Sequence, residues 1–219
     1  MKVAAITGLE AEARIARRAG LEAAASGGVA ARTLALAEAF LREGADALLS
    51  FGIAGALAPH FAAGTLLLPR LVLDEDGSHH AVDETWRARV ATMLAAAGQP
   101  AESGVMLGAG EAAATPVRKA ALFQATGAIA VDLESHLVAR AAAAGKRPFL
   151  VLRAVADPAS RALPPAAVNG LAATGAPALG RVLLAVLRNP TQVPALLCLA
   201  GDTRRALSAL RSALKAGPI

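Results

Sequence analysis

Short unbroken apolar runs alternate along the chain with stretches in which apolar and charged residues recur at helical spacing, and these patterns predict strands and helices in turn. Lys2–Thr7 reads as a buried strand and Glu10–Arg18 as a helix, with Glu10 and Glu12 in the first turn where the helix dipole favours negative charge. After the Gly27-Gly28 break a second helix is predicted over Ala30–Arg42. Ala47–Phe51 reads as a strand, followed by the glycine-bearing turn Gly52-Ile53-Ala54-Gly55. Gly64–Leu73 is expected as one long strand, Asp74–His80 as a polar loop, Glu84–Ala97 as a helix and Glu102–Leu107 as a strand closed by the turn Gly108-Ala109-Gly110. Thr115-Pro116 is a capping hydroxyl ahead of a first-turn proline and so opens a helix. Ala128–Asp132 and Phe149–Arg153 complete the strands; Leu163–Pro165 and Pro190–Pro194 mark loop boundaries around a helix over Ala172–Leu187, and Leu196–Lys215 is a last amphipathic helix.

Strands separated by helices predict an α/β fold, one domain with a central, mostly parallel or mixed twisted sheet flanked by helices. A chain of 219 residues with 55% apolar content is long enough for one well-buried core. Residues 1–189 are assigned to this domain and 190–219 to a C-terminal helical extension. Aromatics make up only 3% and tyrosine is absent, so the core must be built from Ala, Leu and Val.

Composition narrows the function as well. Four histidines and one cysteine show no metal-ligand spacing, so no metal and no cofactor is expected. Net charge is +5, but the arginines concentrate at 14–18 and 204–211 without interleaved aromatics, which argues against nucleic acid as partner. No run reaches the roughly 18 apolar residues of a membrane span. The apolar run at the start is too short for a signal peptide, and a cytoplasmic protein is expected.

The chemistry-bearing residues gather at predicted strand ends. Val131-Asp132-Leu133-Glu134-Ser135-His136 is a strand end whose acids open an alanine-rich helix, and the next strand closes on Arg153-Ala154-Val155-Ala156-Asp157. Glu134 and Asp157 are therefore expected on neighbouring strand ends of a βαβ unit, where open α/β sheets bind ligands.

Four segments in order carry a resemblance: Ile6-Thr7-Gly8-Leu9-Glu10-Ala11-Glu12, Phe51-Gly52-Ile53-Ala54-Gly55-Ala56-Leu57, Val131-Asp132-Leu133-Glu134 and Leu152-Arg153-Ala154-Val155-Ala156-Asp157. Over about residues 1–175 the chain resembles the nucleoside phosphorylase and nucleosidase superfamily, in the branch of the methylthioadenosine/adenosylhomocysteine nucleosidases. Ser135-His136, Ala114-Thr115-Pro116 and the tail Arg204-Arg205-Ala206-Leu207 are similar to its hopanoid-associated group. That group is thought to remove adenine from adenosylhopane.

The resemblance implies cleavage of a purine N-glycosidic bond, in which positive charge builds on the sugar and negative charge on the departing base. Asp157 matches the acid that protonates the base; its alternative is a cap on the following loop. Glu134 matches the carboxylate that grips the ribose hydroxyls, with Leu133 packed on the sugar face and Asp132 as an acid supporting the site or capping the helix; the alternative for Glu134 is a helix N-terminal acid. Glu12 matches the carboxylate that activates water, with an exposed first-turn glutamate as its alternative and Glu10 as fallback. The Gly52, Ile53, Ala54, Gly55 turn lacks the arginine and hydroxyl residue that would hold a phosphate dianion, so hydrolysis is favoured, with Arg14 or Arg32 as the residues that could restore phosphate binding. Gly108 is taken for the base-reading loop. There Gly110 stands where the family carries an aspartate, with Glu111 one step later, so base contacts are expected to use backbone groups. The usual strands between Arg18 and Val29 look trimmed.

Arg153 is expected to orient Asp157 or Glu134, or to form a structural ion pair. His136 is a substrate-side residue or a packed helix residue, and His79 and His80 belong to a solvated loop or to one that closes over substrate. The partner is thus a small adenine nucleoside, and a homodimer is expected. The last helix, with Leu196, Leu197, Leu207, Leu210 and Leu214 opposite Arg204, Arg205, Arg211 and Lys215, packs on its own domain or on a second subunit, or else lies on a membrane surface, placing the protein peripherally at the inner face. A phosphorylase and a non-catalytic nucleoside-binding protein remain as other readings.

Overall fold

A computed structural model describes residues 1–164 and 190–219. Its strands are β1 (Val3–Thr7), β2 (Glu22–Ala25), β3 (Ala47–Ala56), β4 (Leu66–Leu67), β5 (Leu71–Asp74), β6 (His79–Ala81), β7 (Val105–Gly108), β8 (Ala130–Asp132) and β9 (Phe149–Asp157). The helices are α1 (Glu10–Arg18), α2 (Ala30–Arg42), α3 (Glu84–Ala96), α4 (Pro116–Thr126), α5 (Ser135–Ala144) and α6 (Val193–Lys215). The helix expected over Ala172–Leu187 lies outside the described residues, as does the end of the Leu163–Pro165 boundary.

The strands form one mixed sheet in the order β2-β1-β3-β8-β7-β5-β6, with β9 pairing to β3 and β4. Parallel β1 and β2 are joined by α1, and α2 then returns the chain across β1 to β3. Right-handed crossovers in opposite directions place α1 and α2 on opposite faces. Helix α6 packs beside α1, and α5 packs beside α2. The sheet also curls towards closure: β4 pairs with β9, and hydrogen bonds from Leu68 N to Glu102 O and from Arg70 N to Gly104 O join it to the strand leading into β7.

Strand β3 organises everything near the site. Its one edge pairs with β9 from Leu48 to Gly55. Its other edge pairs with β1 up to Ser50, and with antiparallel β8 only from Gly55. Between these partners Phe51–Ala54 has no strand on that edge, which opens a split in the sheet of the kind that receives ligands in α/β folds.

Several expectations are corrected. Gly52–Gly55 is not a turn, because the strand runs on to Ala56, with Ala54 and Ala56 buried and Ile53 partly buried. Glu134 and Asp157 do not end adjacent parallel strands: β3 lies between β8 and β9, and β8 runs antiparallel to it. Strand β2 occupies the segment read as trimmed; it is alanine-rich and at the sheet edge, so neither β-branching nor burial marked it. Pro69 has no N–H to give a ladder, and the run 64–73 breaks around it into β4 and β5. His79 and His80 are not loop residues but sit in β6 of a hairpin with β5, lining a cleft with Lys146 and Phe149.

Helix α6 has two halves. Ala206, Leu210 and Ala213 are buried in the common core, with Leu207 and Leu214 packed against it. The leucines read as a membrane-facing stripe are thus largely used within the domain, while Val193 and Leu197 of the first turns are exposed. No helix among the described residues is long and apolar enough to cross a membrane.

Candidate active site

Glu12 is the best-defined of the expected residues. It occupies the third position of α1, where a glutamate can reach back to the N-cap amide. Its Oε2 accepts the Leu9 N–H at 2.7 Å, and its Oε1 accepts the Ile53 N–H at 2.8 Å. Ile53 lies in the split of β3, so the carboxylate takes the hydrogen bond that a neighbouring strand would otherwise accept. Only 1% of Glu12 is exposed, so the surface-glutamate alternative is set aside. Burial, opposed chiefly by the Arg153 charge, raises its pKa from 4.5 to about 7. Glu10 instead pairs with Arg14 and Arg17 on the outer side of the helix.

Two glycines make room for the carboxylates. A Cβ on Gly52 would stand 2.7 Å from the Glu12 carboxyl carbon, and Gly52 has a φ of 153° that side chains rarely tolerate. A Cβ on Gly8 would meet Glu134 Oε1 at 2.7 Å. Gly52→Ala is therefore expected to lower stability by about 1–3 kcal/mol, because the Glu12 carboxyl must move off its two backbone donors and alanine is strained at that φ. A urea midpoint equal to that of the wild type would contradict this packing.

Glu134 is the N-cap residue of α5 but makes no capping bond. Asp132 receives the Ser135 N–H at 3.1 Å and the Ser135 hydroxyl instead. The Glu134 side chain turns to Arg153, whose Nη2 lies 3.1 Å from Oε2. Burial pushes the Glu134 pKa up, partly offset by Arg153. Arg153 is buried and central: Nη2 also meets Asp132 Oδ2 at 2.6 Å and Ser50 Oγ at 2.7 Å, and Nη1 donates to Ile53 O at 3.2 Å. Ser50 and Ser135 hydroxyls stand 2.9 Å apart, closing the network. Arg153 thus contacts Glu134 within a buried ion-pair cluster that also holds Asp132, and among the described residues it makes no bond to Asp157.

Asp157 ends β9 three residues further along β3. A register shift at Ala54/Gly55 sets Asp157 against Gly55, and such bulges re-aim side chains. Its Oδ2 lies 2.6 Å from Lys119 Nζ, whereas Oδ1 is buried without a hydrogen-bond partner among the described residues. Among the described residues it caps no backbone N–H of the following loop. Burial raises its pKa, against the lowering influence of Lys119 and then Arg161. Glu12 sits over Gly52 and Asp157 against Gly55, so the two acids are spaced by three strand residues, about 10 Å.

Leu133 is half-buried, and Gly28 of the β2–α2 loop passes over it, a Cβ there coming within 3.6 Å of Leu133 Cδ1. The loop thus lies over Leu133 and Glu134, a placement that Gly27-Gly28 signals only as a chain break. Gly108 and His136 pack against each other. A Cβ on Gly108 would overlap the His136 side chain, and neither residue bonds to Glu12, Glu134 or Asp157. His136 is a packed helix residue whose pKa burial lowers, near Asp74 and Asp132. Base contacts through the 108–110 backbone are also constrained, since the Ala109 N–H goes to Asp132 O and the Gly110 N–H to Glu75 Oε2. Arg14 is engaged with Glu10. Among the described residues no cluster of potential metal ligands occurs.

What assembles, then, is a set of buried carboxyls along one segment of β3, with Glu12 against Gly52, Glu134 beside it on Arg153, and Asp157 against Gly55. A family model described as the phosphorylase superfamily matches residues 18–188. The chain belongs to the phosphorylase superfamily. No curated protein matches it in sequence. Among solved structures with the superfamily's fold, it is similar to S-adenosylhomocysteine nucleosidase of Streptococcus pyogenes in complex with 5-methylthiotubericidin (17% identity, TM-score 0.72, 100% of this chain and 98% of that one). It is also similar to the 5'-methylthioadenosine/S-adenosylhomocysteine nucleosidase of Neisseria meningitidis with methylthio-immucillin-A (16%, 0.72, 99% and 100%). Futalosine hydrolase of Helicobacter pylori matches comparably (15%, 0.71, 98% and 97%). Superfamily membership fixes the α/β architecture; the roles of individual residues rest on the geometry.

Proposed function

We propose that this protein hydrolyses the N-glycosidic bond of an adenine nucleoside and releases adenine. The observation that carries the reading is the disposition of three buried carboxyls along β3: Glu12 and Glu134 at the level of Gly52, Asp157 at Gly55. A ribose at the first level and a purine at the second would match that spacing. Glu134 would accept from the vicinal hydroxyls, since a carboxylate can take both donors at once, and Leu133 would pack on the sugar. Glu12, with a pKa of about 7, is suited to take a proton from water as it attacks the anomeric carbon. Asp157, desolvated and with Oδ1 unengaged, would protonate the departing base. The apolar stretch Ile53, Ala54 and Gly55 would line the path between the two ends.

Water rather than phosphate is the nucleophile in this reading. A phosphate dianion needs cationic or N–H donors, but the Ile53 N–H is taken by Glu12, and Arg153 is already held by Asp132 and Glu134. For the substrate's 5′ group we propose adenosylhopane, on the resemblance of Ser135-His136 and the arginine-rich tail, with methylthioadenosine and adenosylhomocysteine as alternatives. A homodimer at the inner membrane face, touching lipid through the first turns of α6, is proposed on the same resemblance and on the exposure of Val193 and Leu197.

The test is incubation with 5′-methylthioadenosine, adenosylhomocysteine and adenosylhopane, with and without phosphate, quantifying free adenine. Equal adenine release in phosphate-free buffer is expected, fastest from adenosylhopane. Strict dependence on phosphate would make the protein a phosphorylase. Tight nucleoside binding without adenine release would make it a binding protein.

A further inference from the structure

Helix α4 supplies nothing to the reading above, yet it carries the ammonium that touches Asp157. Lys119 is fully buried, and its three N–H donors meet three acceptors: Pro158 O at 2.9 Å, Arg161 O at 2.8 Å and Asp157 Oδ2 at 2.6 Å. A lysine ammonium has three donors and no acceptor, so this cradle saturates it. All three acceptors belong to the end of β9 and the loop that follows. Thr115 caps α4 and receives the Arg118 N–H, which fixes the turn from which Lys119 extends.

We propose that Lys119 is a positioning residue for Asp157, anchoring Oδ2 and the Pro158–Arg161 loop so that Oδ1 is the oxygen presented to the nucleobase. The proposal rests on the reading of Asp157 as the acid at the base. An aspartate's terminal torsion is soft and nearly two-fold, and a single strong contact on one oxygen therefore fixes the plane of the group. The loop is held from its other side too: Arg161 pairs with Asp202 of α6, which Arg205 also contacts. Surface helix α6 thus braces the same loop that Lys119 holds from within.

The contact also sets how firmly Asp157 keeps its proton. Three charged groups face it: Lys119 from α4 and Arg161 from the loop favour the ionised carboxyl, and Asp202 from α6 disfavours it. Burial opposes ionisation most strongly. Without Lys119 the proton would be held to higher pH, making a weaker acid that yields its proton less readily to the departing base.

The experiment compares wild type with Lys119→Met and Lys119→Gln; the Gln variant keeps N–H donors for the loop carbonyls and so protects the fold. The Asp157 carboxyl is titrated by 13C NMR, and adenine release from 5′-methylthioadenosine is followed against pH. The Asp157 midpoint should rise by about 1–3 pH units in both variants. The alkaline limb of kcat should move up by the same amount, while kcat at pH 7 falls by about 10²-fold with KM little changed. A folded variant with an unmoved Asp157 midpoint overturns the proposal. If the wild type releases no adenine, the functional reading fails, and the NMR titration still decides what Lys119 does.

Discussion

Asp157→Asn is expected to release adenine about 10²–10⁴ times more slowly than wild type, with KM little changed, because the base loses its proton donor. Asparagine keeps the shape of the group and can still meet Lys119 through its carbonyl oxygen. It cannot deliver a proton at the Oδ1 position, which is buried without a partner among the described residues. At a pH where Asp157 has given up its proton, the same substitution also leaves the fully buried Lys119 charge without its counter-ion. Breaking a buried pair from one side costs about 3–5 kcal/mol. Urea unfolding should therefore show a large loss of stability alongside the loss of rate. Adding Lys119→Met removes the stranded charge, so the double variant should regain stability and not rate. Recovery of both would mean that Asp157 acts only as part of the scaffold.

Glu12→Gln should have a comparable effect on rate and an effect on stability that changes with pH. Glutamine cannot take a proton from water, and a loss of about 10²–10⁴-fold in kcat is expected. In the wild type, kcat/KM should rise with pH through about 7 as Glu12 ionises; the variant's residual activity should lack that limb. Stability follows the reverse sign. The folded-state pKa of Glu12 lies above its unfolded value, so the unfolded chain gives up this proton first as pH rises. The favourable contribution is complete below pH 4.5 and is lost as pH rises to about 7. Across that window the wild type should lose about 3 kcal/mol relative to the Gln variant, by the value of one pKa step applied to a rise from 4.5 to about 7. Denaturant midpoints measured at pH 4 and pH 8 check this. A gap that stays constant with pH would show that Glu12 is not strained by burial.

The residues that touch the crevice were legible because each is a polar side chain at the end of an apolar run: Glu12 after β1, Glu134 after β8, Asp157 on β9. Helix α4 was legible from Thr115-Pro116, and the cap it predicted is formed. What could not be read was how the ends face one another. Antiparallel pairing of β8 with β3 is a long-range event, and local periodicity carries no record of strand direction. Two glycines punctuate Gly52–Gly55 as they would a turn, but the missing Cβ of Gly52 serves the close approach of Glu12 to a continuing strand. The missing Cβ of Gly108 likewise makes space for His136. Lys119 was invisible for a different cause. A lysine in a helix with little amphipathic contrast reads as solvated, and only tertiary packing shows that it is enclosed.

The central claim is that one adenine nucleoside lies along β3 with its ribose at Gly52 and its base at Gly55. The most direct measurement is a crystal structure with a bound adenine nucleoside analogue whose base cannot leave. The account predicts ribose hydroxyls on Glu134, the anomeric carbon facing Glu12, and the N7 edge of the purine within hydrogen-bonding distance of Asp157 Oδ1. A nucleoside seated in another cleft, such as that beside His80 and Phe149, or lying with ribose and base exchanged, would contradict it.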